Sequence, residues 1–232
     1  MTEIITASPA GSVQTRRRIR PHIYQTPLLP ARSDGLLFKA ENFQLTGSFK
    51  IRGAASVMSA VTSDQPLITA SSGNHGIGAA RAAQSMGRSL TVVLPENVVP
   101  EKLARIRSYG VQVVLQGAET GLAEQHAQRL ALSTGARYIS PYNDADVIAG
   151  QGTIGLELLD QAAQIDTVFI AMGGGGLISG IGAVIKAFSP GTRIIGAAAE
   201  ASQALALSMR AGRVVQQGAP YNLYNSPVDK AA

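Results

Sequence analysis

An α/β fold with parallel twisted sheets covered by helices is what this sequence predicts, on three observations. Short, nearly continuous apolar segments alternate with helical patterns along 232 residues, as happens where a parallel sheet is buried on both faces. Hydrophobic residues make up 45% and charged residues only 15%, so a folded globule follows rather than a disordered chain. Glycine and alanine are plentiful and aromatics scarce, which suits helices packed closely on a sheet. The length fits one large domain or two small ones.

The elements follow in order. Arg16-Arg17-Arg18-Ile19-Arg20 belongs to a solvated first helix that ends before Pro21. GLLFKA (35–40) reads as a strand and SFKIRGAASVMSAV (48–61) as a helix. PLITA (66–70) is a strand, followed by a Ser-Ser-Gly-Asn-His turn and an Ala-rich helix to Met86. SLTVVL (89–94) is a strand stopped at Pro95; a helix at 100–109, a strand at 111–115, a helix at 119–134 and a strand at 137–139 come next. A long helix covers 145–164. DTVFIAM (166–172) is a strand, then come a glycine run and a helix at 177–188. RIIGAA (193–198) is a strand and 201–211 a helix. After Gly212 the segment VVQQGAPYNLYNSPVDKAA loses periodicity and reads as loop or disorder.

Composition excludes several classes. There is no cysteine, so disulfides, thiolate metal sites and a cysteine nucleophile are out. The N-terminus has no basic region followed by an apolar run. No apolar stretch approaches the roughly 18 residues of a membrane span. A soluble, cytoplasmic chain with no membrane partner is expected. The net charge of +5 invites a nucleic-acid reading, but the one basic cluster carries no interleaved aromatics. No nucleic-acid partner is expected, and a basic balance suits an anionic small molecule.

Ligands in open α/β folds bind beyond the carboxyl ends of the strands, so the turns there are where chemistry is sought. Gly173-Gly174-Gly175-Gly176 follows one strand and opens a helix. Glycine lets backbone N–H groups approach a ligand closely, and the helix dipole favours an anion there. This is a phosphate cup; it is no Walker loop, since no Gly-Lys-Ser/Thr follows. A tight steric turn is the alternative, though four consecutive glycines exceed its needs. Ser71-Ser72-Gly73-Asn74-His75-Gly76 stands at a second strand end. Its hydroxyls, amide and N–H groups can hold a carboxylate, with a hydroxyl as acid or base. A simple N-cap explains one of these residues. The third segment is QLTGSFKIRGA (44–54). Lys50 stands at a helix start, where a cation is disfavoured, and burial beside Phe49 would lower its pKa further. Both effects favour the neutral, nucleophilic amine. A phosphate cup, a nucleophilic lysine, an aromatic wall and a carboxylate loop describe a pyridoxal phosphate site.

These residues resemble the fold-type II pyridoxal-phosphate enzymes (tryptophan synthase β-like), and within them the threonine/serine dehydratase (ammonia-lyase) and serine racemase family. SFKIRGA (48–54), SSGNHG (71–76) and GGGGLISGI (173–181) carry the resemblance, supported by Tyr24–Leu28 and Lys39–Gln44, over residues 10 to 212. Lys-Ile-Arg points to the dehydratase branch. The resemblance implies pyridoxal 5'-phosphate on Lys50 as a Schiff base, with Lys50 later removing the substrate α-proton. It implies Phe49 packed near the cofactor, Asn74 on the ring hydroxyl, Gly173, Gly174, Gly175 and Gly176 around the phosphate, and Leu177 closing the cup. Ser71, Ser72, Asn74 and His75 would hold the substrate carboxylate, mostly through the loop backbone, with Ser72 as an opposite-face acid/base in the racemase. The implied reaction is β-elimination from L-threonine or L-serine, giving a 2-oxo acid and ammonia. Serine racemisation, or a catalytically dead homologue that at most binds the cofactor, is the alternative.

The resemblance also implies a larger cofactor domain, 1–53 plus 145–232, with a smaller inserted domain at 54–144, and a possible homodimer. Two departures stand out. Many members carry a metal-binding Glu in a Gly-Val-Glu-Pro-like stretch; the corresponding place here is Ala198, with Glu200 offset by two, so no metal is expected. Members are also longer, and their last segment adds strands and a Ser/Thr or Cys partner for the pyridine nitrogen. The chain is therefore expected to be C-terminally short.

Overall fold

A computed structural model of the chain describes residues 6–215 except 34, 62, 63, 201, 202 and 214. Helix α1 (Pro9–Ile19) starts with Pro in its first turn and with Ser8, whose hydroxyl accepts from the Gly11 N–H at 3.2 Å. A 3-10 turn over Arg20–His22 ends it at Pro21. Strands β1 (Leu28–Pro30) and β2 (Leu37–Lys39) form a separate antiparallel ribbon. The sequence pattern shows only the second of these: β1 is three residues long and ends in Pro30, too short to display alternation. A 3-10 turn over Glu41–Phe43 then leads to α2 (Lys50–Ala60).

The central unit is a four-stranded parallel sheet in the order β5 (Gln112–Leu115), β4 (Leu90–Leu94), β3 (Leu67–Ala70), β6 (Arg137–Tyr138). Its side chains alternate between two cores, as the two-residue period of a strand requires. Leu67, Leu90, Val92 and Leu94 pack with α2, with α3 (Asn74–Met86) and with Ile106 of α4 (Pro100–Arg107). Ile68, Ala70 and Val93 face the alanine stripe Ala123, Ala127 and Ala131 of α5 (Thr120–Thr134). Both faces are covered, as the continuous apolar strands predict.

The second parallel unit pairs β7 (Thr167–Ala171) with β8 (Arg193–Ala197). Helices α6 (Ala145–Gln161) and α7 (Gly176–Phe188) cover one face through Ile154, Leu158, Ile181 and Ile185 against Val168, Ile170 and Ile194. The other face carries Phe169, 66% exposed, and Ile195, 39% exposed. Coverage on both faces is therefore not realised here among the described residues. Helix α6 ends three residues before the predicted 164, and α8 occupies Ala204–Ala211. The segment that reads as loop or disorder falls almost entirely outside the described residues. Among the described residues no helix is long and apolar enough to cross a membrane.

Candidate active site

Lys50 is the first residue of α2. Its ammonium donates to the carbonyl of Pro141 at 2.9 Å and lies 5.3 Å from the centre of the Phe49 ring. Burial lowers its pKa from 10.5 to about 8. This is the direction expected for a lysine buried beside Phe49, and burial is its cause.

The Ser71–Gly76 loop joins β3 to α3 and reaches the same place. A Cβ on Gly78 would lie 2.8 Å from the Ile51 nitrogen and 3.1 Å from the Lys50 carbonyl carbon, so glycine is what lets α3 approach the start of α2. Ser71 is buried and its hydroxyl accepts from the Gly73 N–H at 3.2 Å. Ser72 is half-buried, and Asn74 is exposed in the first turn of α3. His75 is 1% exposed, and its Nε2 lies 3.0 Å from the Thr69 hydroxyl, which donates to the Ile139 carbonyl at 2.8 Å. With that hydroxyl proton committed, the imidazole must donate from Nε2, leaving Nδ1 buried without a hydrogen-bond partner. Burial first, then the charge of Lys50, pushes His75 down to about 3. The ring is a neutral packing group, and what His75 offers a ligand is its backbone.

The glycine run connects β7 to α7. Gly173 and Gly174 are exposed, Gly176 is buried, and Gly175 has φ +91°, a conformation that side chains rarely adopt. A Cβ on Gly174 would enter the Tyr142 ring, and one on Gly176 would lie 2.8 Å from the Tyr142 carbonyl oxygen. Tyr142 thus roofs the glycine run, one residue after the carbonyl that holds Lys50. The Leu177 side chain packs into the core between α6, α7 and β7. The three motifs are therefore linked: the helix after the asparagine loop packs on the start of α2 through Gly78, the charge of Lys50 reaches His75, and Tyr142, next to the Lys50 acceptor, packs on the glycine run.

Pro141 and Tyr142 are absent from the sequence prediction, although the turn Ser140-Pro141-Tyr142-Asn143 follows a predicted strand and so stands where ligand loops are sought. Asp144 then caps α6, accepting from the Asp146 and Val147 N–H groups at 2.9 and 3.2 Å. The donor set suits pyridoxal phosphate on local grounds: a buried lysine amine, an aromatic ring beside it, and a glycine cradle that a Cβ would fill, at the N-terminus of α7.

A family model described as pyridoxal-phosphate dependent enzyme matches residues 19–227. The chain belongs to that family, whose cofactor is pyridoxal phosphate. It is 38% identical over 197 residues to the catabolic L-threonine dehydratase of Staphylococcus aureus, covering 81% of this chain and 57% of that protein. The chain thus spans a little over half the length of that curated relative. Among solved structures, the threonine deaminase of T.th. superposes with a TM-score of 0.85 at 43% identity, covering 92% of this chain and 72% of that one. Maize serine racemase gives 0.88 at 34% identity, covering 93% and 68%.

Proposed function

We propose that this chain carries the pyridoxal-phosphate site of a β-eliminating enzyme that converts L-threonine or L-serine to a 2-oxo acid and ammonia. The single observation that carries the reading is the amine of Lys50, buried at a helix start and bonded to the Pro141 carbonyl, next to the Tyr142 that roofs the glycine run. Relatives described as threonine dehydratase and threonine deaminase support it.

Gly173, Gly174, Gly175 and Gly176 would hold the phosphate with the free N–H groups of α7, Phe49 would wall the ring, and Asn74 would bond its hydroxyl. When bound, pyridoxal phosphate supplies an electron sink for the electron pair left when the α-proton departs. Lys50, with its pKa near 8, would hold the cofactor through its amine and would take the substrate α-proton near neutral pH. Ser71, Ser72 and the N–H groups opening α3 would orient the substrate carboxylate. The α-proton and the β-hydroxyl would leave together as water, and addition of water to the resulting enamine would release the 2-oxo acid and ammonia. Leu177 contributes through its backbone, since its side chain packs in the core.

The half-buried Ser72 hydroxyl favours a second reading, racemisation of serine with Ser72 on the opposite face. The division into a 1–53 plus 145–232 domain and a 54–144 domain belongs to the proposal too; α2 runs unbroken through the 53/54 junction and packs against both α3 and α6. A cytoplasmic setting belongs to the proposal as well, with which the absence of cysteine is compatible, and a homodimer is proposed by resemblance.

The test is a visible spectrum of the purified chain with added pyridoxal phosphate, then with L-threonine or L-serine. A band absent in Lys50→Ala, with oxo acid and ammonia on substrate addition, is the expected outcome. D-serine without ammonia would favour racemisation. A band without turnover would reduce the chain to a cofactor-binding homologue, and no band in the folded protein would sink the reading.

A further inference from the structure

Two residues beyond Lys50, Arg52 is 0% exposed and heads the largest fully buried side chains. A buried guanidinium is tolerated only when its donors are all satisfied, and here they are. Nε donates to Glu41 Oε2 at 2.8 Å, and Nη2 to Glu41 Oε1 at 2.8 Å and Glu157 Oε2 at 2.9 Å. Nη1 donates to Glu157 Oε1 at 2.6 Å and to the Thr153 hydroxyl at 3.2 Å. Lys39 joins the cluster, donating to Glu157 Oε2 at 2.5 Å, to the Thr26 carbonyl at 2.6 Å and to Gln161 Oε1 at 2.9 Å. The Thr26 hydroxyl donates to Glu41 at 2.5 Å. Two cations and two carboxylates balance.

The four charges come from four different parts of the chain. Lys39 ends β2, Glu41 opens the 3-10 turn, Arg52 lies on α2 and Glu157 on α6. For stability alone, an apolar set of similar volume would often do as well. What a guanidinium adds is fixed geometry: a planar fork held by two carboxylates allows its helix neither to rotate nor to slide. At about 100° per residue, Lys50 and Arg52 project roughly 200° apart on α2. The helix is therefore gripped on one side and presents Lys50 on the other. Arg52 also grips α6 through Glu157, and the loop that precedes α6 carries the Pro141 carbonyl that accepts from Lys50. The amine and its acceptor are both referenced to one ion cluster.

We propose that the Arg52–Glu41–Glu157–Lys39 cluster is a positioning device for Lys50, setting the rotation and depth of α2 so that the amine sits buried against the Ser140–Asn143 loop. Arg52 is a positioning residue in this role and acts through Lys50. The functional consequence rests on the reading of Lys50 as the cofactor lysine; the placement itself does not.

Competitive acetylation of the full chain across pH, without cofactor and read by peptide mass spectrometry at Lys50 with exposed Lys186 as reference, tests the placement. The wild-type midpoint is expected near pH 8. In Arg52→Lys, which keeps a cation but loses the fork, and in Glu41→Gln, the midpoint rises toward that of an ordinary lysine, with roughly tenfold less neutral amine at pH 8 for each unit of rise. His75, which among the described residues feels the charge of Lys50, is held down to about 3 and so is neutral throughout the range. Ile185→Ala, a core truncation in α7 that removes no member of the cluster or its helix, lowers stability and keeps the wild-type midpoint. A variant with wild-type circular dichroism and a wild-type midpoint overturns the proposal, and Glu41→Gln decides where Arg52→Lys does not fold. Loss of folding in both would overturn it too, assigning the cluster a purely structural role. In a parallel arm, pyridoxal phosphate with borohydride is expected to label Lys50 at least about tenfold less in the variants, a loss of about 1.4 kcal/mol in affinity. Absence of label in the wild type would overturn the cofactor reading instead, while the acetylation midpoints still decide the placement.

Discussion

The two parallel sheets start from similar sequence and end in different surroundings. LITA and LTVVL of β3 and β4 bury alternate side chains in two cores, one under α2 and α3 and one under α5. TVFIA of β7 is as apolar, yet only Val168 and Ile170 meet helices, and Phe169 stands 66% exposed. An apolar run shows that a strand can be buried on both faces. Whether the second face is covered depends on which other element lies against it. Each sheet nevertheless sends a loop from a strand end into the same site, Ser71–Gly76 from the first and Gly173–Gly176 from the second.

Three substitutions sharpen this comparison. The largest effect is expected for Leu94→Ala in the doubly covered sheet, where the side chain is 0% exposed; the cost should be about 2–5 kcal/mol in denaturant midpoint experiments. A cost below about 1 kcal/mol would mean that this core is looser than its burial implies. An intermediate, pH-dependent effect belongs to His75. Its pKa is pushed from 6.5 to about 3 in the fold, so between those values the unfolded chain binds the extra proton and stability falls as pH falls. His75→Gln should flatten the melting temperature against pH in that window, and parallel curves for the two proteins would remove His75 from the acid limb. The smallest effect is expected for Phe169→Ser, under about 1 kcal/mol. A core-sized loss there would show that the outer face of the β7–β8 sheet is covered in solution, and the contrast between the sheets would disappear.

Much of the fold is legible along the chain because strands and helices have different periods. The three ligand segments are legible because glycine runs, clustered hydroxyls and a lysine at a helix start are unusual in those positions. Short-range cues miss β1, which is too short for a pattern, and they miss Pro141 and Tyr142. The roof over the glycine run is built from a residue about 30 positions upstream of it in the chain, and only the packing of Gly174 and Gly176 identifies it. His75 is visible as a polar loop residue, but its burial against Thr69 and its lowered pKa depend on how α3 docks.

The sequence by itself determined the order of strands and helices apart from β1, and the residue types at the candidate site, because these depend on local periodicity or local spacing; three of its motifs carried the resemblance to the family. The tertiary structure decided which faces of the sheets are covered, how Lys50 meets Pro141, and which carboxylates hold Arg52. Those depend on partners 11 to 105 residues apart along the chain, and a buried charge or an approaching backbone is specified only when distant elements close around it.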